Sequence, residues 1–237
     1  MATATTITPT PTAIPTRTTI TRATTITTDR GGQWLVALDL EGVLVPEIWV
    51  AVAEATGVDA LRLTTREVAD YDELMANRLA ALDSNRIPFS RLEEIVAGLE
   101  PFAGAVEFLR SLQADRPVAI VSDTYEQLAR PLLAKLGHPL TLCHRLRVDA
   151  DRIVDASTRR PAAKRAAVEG FRALGYRVAA AGDSFNDVEM LDGADRAVLF
   201  RPAEATRTLR PRLPVARTYV ELDAALRGLA AEEAEQK

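Results

Sequence analysis

What most narrows the folds open to this chain is a recurring pair: a strand-length apolar run, then a stretch with helical apolar spacing. The runs are "QWLVALDL", "PVAIVSD", "YRVAAAGDSFND" and "ADRAVLF", and three of them close on acidic residues. Between and after them, "GAVEFLRSLQ", "EQLARPLLAKLG", "RRPAAKRAAVEGFRALG" and the end of "VARTYVELDAALRGLA" have the helical period. Strands that are apolar throughout and alternate with helices predict an α/β protein: a Rossmann-like, mainly parallel sheet with helices on both faces. The alternation breaks once. After the first strand come three helical stretches in succession, "PEIWVAVAEATG", "DYDELMANRLAALDS" and "FSRLEEIVAGLE". They predict a small helical cap at 46–102, inserted into a core made of 33–45 and 103–228. "TLCHRLRVDADRIVD" alternates around Asp-Ala-Asp and reads as a hairpin.

The ends read differently. Residues 1–32 are rich in threonine and proline and lack an apolar face, which predicts a disordered tail. No unbroken apolar segment makes it a secretory signal, and Pro9, Pro11 and Pro15 obstruct a transit-type helix. Residues 229–237 read as a frayed, charged terminus. A net charge of −4 gives no field that would draw nucleic acid or anionic lipid, and no apolar stretch approaches the ~20 residues of a membrane span. One cysteine, Cys143, and two histidines, His138 and His144, allow neither an internal disulfide nor a zinc cage. A reducing, cytoplasmic setting is the expectation. His138 reads as a loop residue, His144 as a hairpin residue with no evident partner, and Trp34 and Trp49 as packing.

In open parallel sheets ligands bind beyond the carboxyl ends of the strands. There this chain puts Asp39 and Glu41, then Ser122, Asp123 and Thr124, then Asp183, Asn186 and Asp187, with Lys164 opening a helix nearby. Two unit charges 4 Å apart repel by about 4 kcal/mol at an effective dielectric of 20, so such a cluster calls for a cation. Oxygen-only donors favour Mg²⁺. Asp39 and Asp183 are the expected ligands, Glu41 faces the metal through its backbone, and Asp187 orients the water shell. With that charge offset, Asp39 can attack phosphorus, Glu41 can serve as general acid and base, and Ser122 and Lys164 can hold the phosphoryl oxygens.

"DLEGV", the serine of "IVSDT", Lys164 and "GDSFND" resemble, in order, the four motifs of the haloacid dehalogenase superfamily of aspartate-nucleophile phosphotransferases. "LDLEGVLVPEIW", "YDELMANRL", "VSDT", "LCHRL" and "AAGDSFND" resemble its bifunctional phosphoserine phosphatase/homoserine phosphotransferase subgroup, across residues 34–222 or so. Glu41 stands where most of the superfamily has aspartate, as in that subgroup, and Asp123 where many phosphoserine phosphatases have glycine. The resemblance implies phosphoserine as donor and homoserine as acceptor, in serine and amino-acid biosynthesis. It implies substrate contacts from Glu47 (ammonium), Arg78 (carboxylate), Ser122, Asp123, Lys164 and Asn186. Without it, Glu47 reads equally as a helix N-terminal acid, Arg78 as a surface partner of Asp72 or Glu73, and Lys164 as one of several cations beside Arg160 and Arg165. Two alternatives stay open: a phosphatase for another small phosphorylated metabolite, and a non-catalytic Mg²⁺-binding signalling domain. Homodimerisation is left open too.

Overall fold

A computed structural model describes residues 33–64, 68, 70–156 and 162–228. The predicted tail, 1–32, and the predicted frayed end, 229–237, lie outside the described residues.

Strand β1 (Trp34–Leu38) lies inside the sheet because its side chains are apolar on both faces. Leu35 and Ala37 join one core cluster, Val36 and Leu38 the other, as the two-residue period of a strand requires. β1 pairs in parallel with β2 (Val118–Tyr125) and β6 (Arg177–Gly182). With β3 (Leu140–His144), β7 (Arg196–Phe200) and β8 (Val215–Ala216) the order is β3-β2-β1-β6-β7-β8, every neighbour parallel. The chain builds outward from β1 to β3 and then returns to β1's other side with β6. Asp39 and Asp183 follow β1 and β6, at the switch point where open α/β sheets bind ligands.

One face carries α6 (Ala163–Ala173) and α7 (Val188–Gly193), whose Val168, Met190 and Leu191 pack on Ala119, Val121 and Ala180. The other carries α4 (Ala105–Gln113), α5 (Glu126–Lys135) and α9 (Tyr219–Arg227). There Tyr219 stacks between Phe108 and Phe200 at 4.8 and 5.0 Å and donates its hydroxyl to the carbonyl of Val43. The segment after β1 forms α1 (Ile48–Thr56), a 3-10 turn (Asp59–Arg62), α2 (Tyr71–Ser84) and α3 (Phe89–Ala97). Gly57 ends α1 in a left-handed conformation, and the Asp70 carboxylate caps α2 by accepting from the amides of Asp72 and Glu73. Ile48, Val52, Leu92 and Val96 of these helices belong to the same apolar cluster as Val36 and Ile120. No helix among the described residues is long and apolar enough to cross a membrane.

The hairpin is shorter than the sequence suggests. β4 (Arg147–Asp149) and β5 (Arg152–Asp155) pair antiparallel, and Ala150 and Asp151 turn with φ of 45° and 60°. Positive φ at both central residues is the tight-turn geometry that suits twisted strands. Thr141–His144, read as part of the hairpin, instead belong to β3, the edge strand of the main sheet, parallel to β2. Half-exposed edge strands and hairpins show the same two-residue alternation, so the pattern could not separate them. The turn has a second use. Asp151 accepts from the Ser90 amide and hydroxyl, each at 2.7 Å, and its carbonyl accepts from Phe89 N, so it satisfies the N-terminus of α3 across the fold. At the other end of α3, Lys135 Nζ of α5 donates to the carbonyls of Ala97 and Leu99. Neither α7 nor α8 (Glu204–Leu209) was legible as a helix; each spans six residues, too few for a periodic signal.

Candidate active site

Asp39 is pinned where β1 ends: its amide donates to the carbonyl of Ala181 on β6 at 3.0 Å. The chain then reverses through Gly42 at φ 77°, with the amides of Leu44 and Val45 both donating to Leu40 O. A Cβ at Gly42 would stand 2.5 Å from the Asp183 carboxylate, so glycine is required for space as well as conformation. Gly42→Ala is expected to cost about 1–3 kcal/mol from the backbone conformation alone. It will also displace Asp183, so a rise in melting temperature on adding Mg²⁺ is expected for the parent and not for the variant. Thermal melts with and without Mg²⁺ check both, and an unchanged Mg²⁺ shift would contradict the second.

Lys164, in the first turn of α6, is buried with its ammonium 2.6 Å from Asp187 Oδ1, 2.9 Å from Asp39 Oδ1 and 3.8 Å from Asp123 Oδ2. Burial works against its charge, but Asp187 and Asp39, then Asp123, outweigh it and hold the ammonium well above the usual lysine range. Asp39 is pushed well above the carboxylate range by burial, then by Asp187, with Lys164 pulling back. Asp183 is raised to about 7 by burial, Asp187 and Glu47. Asp187 is fully committed. Its Oδ2 accepts from the amides of Asp183 and Ser184, while Oδ1 accepts from Lys164.

Asp39, Asp183 and Asp187 each offer an oxygen, all within 4.8 Å of one another. Oδ1 of Asp183 is buried with no hydrogen-bond partner, and Oδ1 of Asp39, though close to Lys164, receives no directed hydrogen bond. Two buried carboxylate oxygens left in this state, in an oxygen-only donor set, fit a hard divalent cation such as Mg²⁺. Asp39 and Asp183 would hold it, and Asp187 would fix the loop beneath them.

The Glu41 carboxylate stands apart from that trio. β1 stops at Leu38, and Glu41 reaches the site from the turn beyond it, where it bridges to Val45. Its Oε2 accepts from Ile48 N at 2.8 Å, at the N-terminus of α1. Burial and then the charge of Glu47 push Glu41 up to about 7, against the Ile48 amide and Thr124. Glu47, open at the cleft mouth but flanked by protein, is raised by burial and hydrogen-bonded to Glu41.

A cavity of about 350 Å³ is bordered by Asp39, Glu41, Glu47, Arg78, Ser122, Asp123 and Asn186. Lys164 borders a neighbouring cavity of about 780 Å³ that shares Tyr71, Asp123, Phe185 and Asn186 with the first. Ser122 Oγ accepts from the Thr124 amide, within a strand that runs on to Tyr125. Asp123 accepts from Asn186 Nδ2 at 3.2 Å, and its carbonyl from the Tyr71 hydroxyl at 3.1 Å. Arg78 is no surface residue. It is buried, lies 4.7 Å over the Trp49 ring, donates to Leu63 O at 2.7 Å, and keeps a buried Nε with no partner. Sequence reasoning missed Trp49, Tyr71, Phe185 and His144 as part of these surroundings. His144 is buried with Nε2 at 3.4 Å from Asp123 Oδ1. Only the placement of tyrosine and tryptophan at the starts of helices following the strand hinted at the first two.

Residues 24–192 match the haloacid dehalogenase-like hydrolase family. The chain is 46% identical over 189 residues to the phosphoserine phosphatase ThrH of Pseudomonas aeruginosa, covering 79% of this chain and 92% of that protein. It is 44% identical over 189 residues to a phosphoserine phosphatase of Pseudomonas syringae pv. tomato, covering 79% and 80%. Among solved structures, a phospho-aspartyl intermediate analogue of phosphoserine phosphatase superposes with a TM-score of 0.67 at 20% identity, over 84% of this chain and 100% of that one, which is a likeness of fold.

Proposed function

The chain belongs to the haloacid dehalogenase-like hydrolases, and on that premise we propose that it is a Mg²⁺-dependent phosphoserine phosphatase that also transfers the phosphoryl group to homoserine. The observation that carries the reading is the buried Lys164 ammonium braced between Asp39 and Asp187, beside carboxylate oxygens that lack partners. That arrangement leaves one carboxylate, Asp39, placed to attack and a fixed positive charge to receive phosphoryl oxygens. The names of the Pseudomonas relatives support phosphoserine as donor.

In the first half-reaction an Asp39 carboxylate oxygen bonds to phosphorus and the phosphorus–oxygen bond to the serine side chain breaks. The departing alkoxide takes its proton from Glu41, whose carboxyl, raised to about 7, is partly protonated near neutrality. In the second half Glu41 accepts a proton from water, or from the homoserine hydroxyl, as that oxygen attacks phosphorus and Asp39 is released. Ser122 and Lys164 hold the phosphoryl oxygens throughout. Bound Mg²⁺ supplies charge that lets an anionic phosphoryl group approach an anionic nucleophile. We assign Glu47 to the substrate ammonium, Arg78, through its unpartnered Nε, to the carboxylate, and Asp123 and Asn186 to the wall beside the acceptor. Residues 46–102 act as the cap over a core of 33–45 and 103–228, and closure that excludes water favours transfer over hydrolysis. A reducing cytosol suits a chain with one cysteine.

Incubation with phosphoserine and Mg²⁺ should release phosphate, chelation should stop it, and added homoserine should yield phosphohomoserine at the expense of phosphate. Phosphate release alone would remove the transferase half. Faster turnover of a different phosphorylated metabolite in a donor panel would replace phosphoserine, and no turnover of any donor would leave a Mg²⁺-binding module.

A further inference from the structure

His144 closes β3 beside Tyr125 of β2, and only 4% of its side chain is exposed. No step of the proposed chemistry uses it. Its Nε2 stands 3.4 Å from Asp123 Oδ1, where the tautomer with its hydrogen on Nε2 donates to that oxygen. Asp123 is a junction. Its Oδ2 accepts from Asn186 Nδ2, the Asn186 carbonyl accepts from Ser184 Oγ at 2.5 Å, and the Asp123 backbone carbonyl receives the Tyr71 hydroxyl from α2. Asp123, Asn186 and Tyr71 all border the cleft.

A carboxylate on the wall of a phosphoryl site is a hazard unless it is held. Asp123 Oδ2 already lies 3.8 Å from the Lys164 ammonium, and a carboxylate turned further that way would compete with Asp39 for it. We propose that His144 is a positioning residue for substrate recognition: by clamping Asp123 Oδ1 it orients the Asp123 carboxylate, and through it the Asn186 amide, on the cleft wall that meets the amino-acid part of the substrate. The inference rests on the phosphoserine reading above. It requires no contact between His144 and substrate.

The test is a double-mutant cycle on the full chain with Mg²⁺, reading kcat and KM for phosphoserine. His144→Phe, which keeps a ring and removes the donor, should raise KM about tenfold, the loss of one hydrogen bond to a charged group, with kcat within about threefold. His144→Gln, whose amide can reach the same carboxylate, should recover KM to within about threefold of the parent. In an Asp123→Asn background, His144→Phe should change KM by less than about twofold, because the residue acts through Asp123. If the phenylalanine variant does not fold, His144→Asn, too short to reach Asp123, takes its place in the cycle. Equal effects of phenylalanine and glutamine, KM losses that add in the double variant, or a fall in kcat with KM unchanged would each overturn the inference while leaving the phosphatase intact. A parent protein inert on phosphoserine would remove the functional reading and this inference together.

Discussion

Replacing Asp39 with asparagine should eliminate turnover, with kcat falling on the order of 10⁴-fold or more, as removal of a catalytic nucleophile does. The fold should not suffer. Asp39 is a buried carboxyl whose ionised form is opposed by desolvation and by Asp187, so a neutral amide of the same shape relieves repulsion. Lys164 keeps its 2.6 Å contact with Asp187. A melting temperature equal to or above that of the parent, measured without Mg²⁺, separates lost chemistry from lost structure. Residual activity above about 1% of the parent would move the nucleophile to another residue.

Lys164→Met should have the largest effect on stability. The side chain it removes faces Asp39, Asp187 and Asp123, and two of these are almost wholly buried. Removing one partner of a buried ionic set typically costs about 3–5 kcal/mol because the remaining charge is left uncompensated. For a chain of this size that is a drop of roughly 10 °C. Mg²⁺ should restore part of it by supplying the missing positive charge, and activity should stay lost. Denaturant melts with and without Mg²⁺ measure both terms, and a cost below about 1 kcal/mol would mean that the acids bind protons instead of relying on the lysine.

The sheet and the acid-bearing strand ends were legible because a strand buried on both faces leaves a continuous apolar run, and its last residues point into one crevice. That is why Asp39, Ser122 and Asp183 could be grouped from sequence. Glu41 borders the same cavity as Asp39, but it arrives on a turn beyond the strand, so its two-residue spacing from Asp39 has no strand parity to obey. His144 was illegible because its partner lies on a different strand, 21 residues earlier. The burial of Arg78 was hidden for a similar reason. A guanidinium over an indole from another helix leaves no trace in the spacing of its own helix, whereas Asp72 and Glu73 nearby made a surface pair look natural.

The Asp151 turn restricts how the entrance can widen. α3 is fastened at its first turn by Asp151 and at its last by Lys135, while α2 is tethered by Asp83 to Arg152 of the same hairpin. The opposite end of α2 is held at the cleft itself, where the Tyr71 hydroxyl donates to the Asp123 carbonyl. Widening the mouth therefore means parting Tyr71 from Asp123 while the hairpin side of α2 and both ends of α3 stay put, so the strand that carries Ser122 feels any such movement directly.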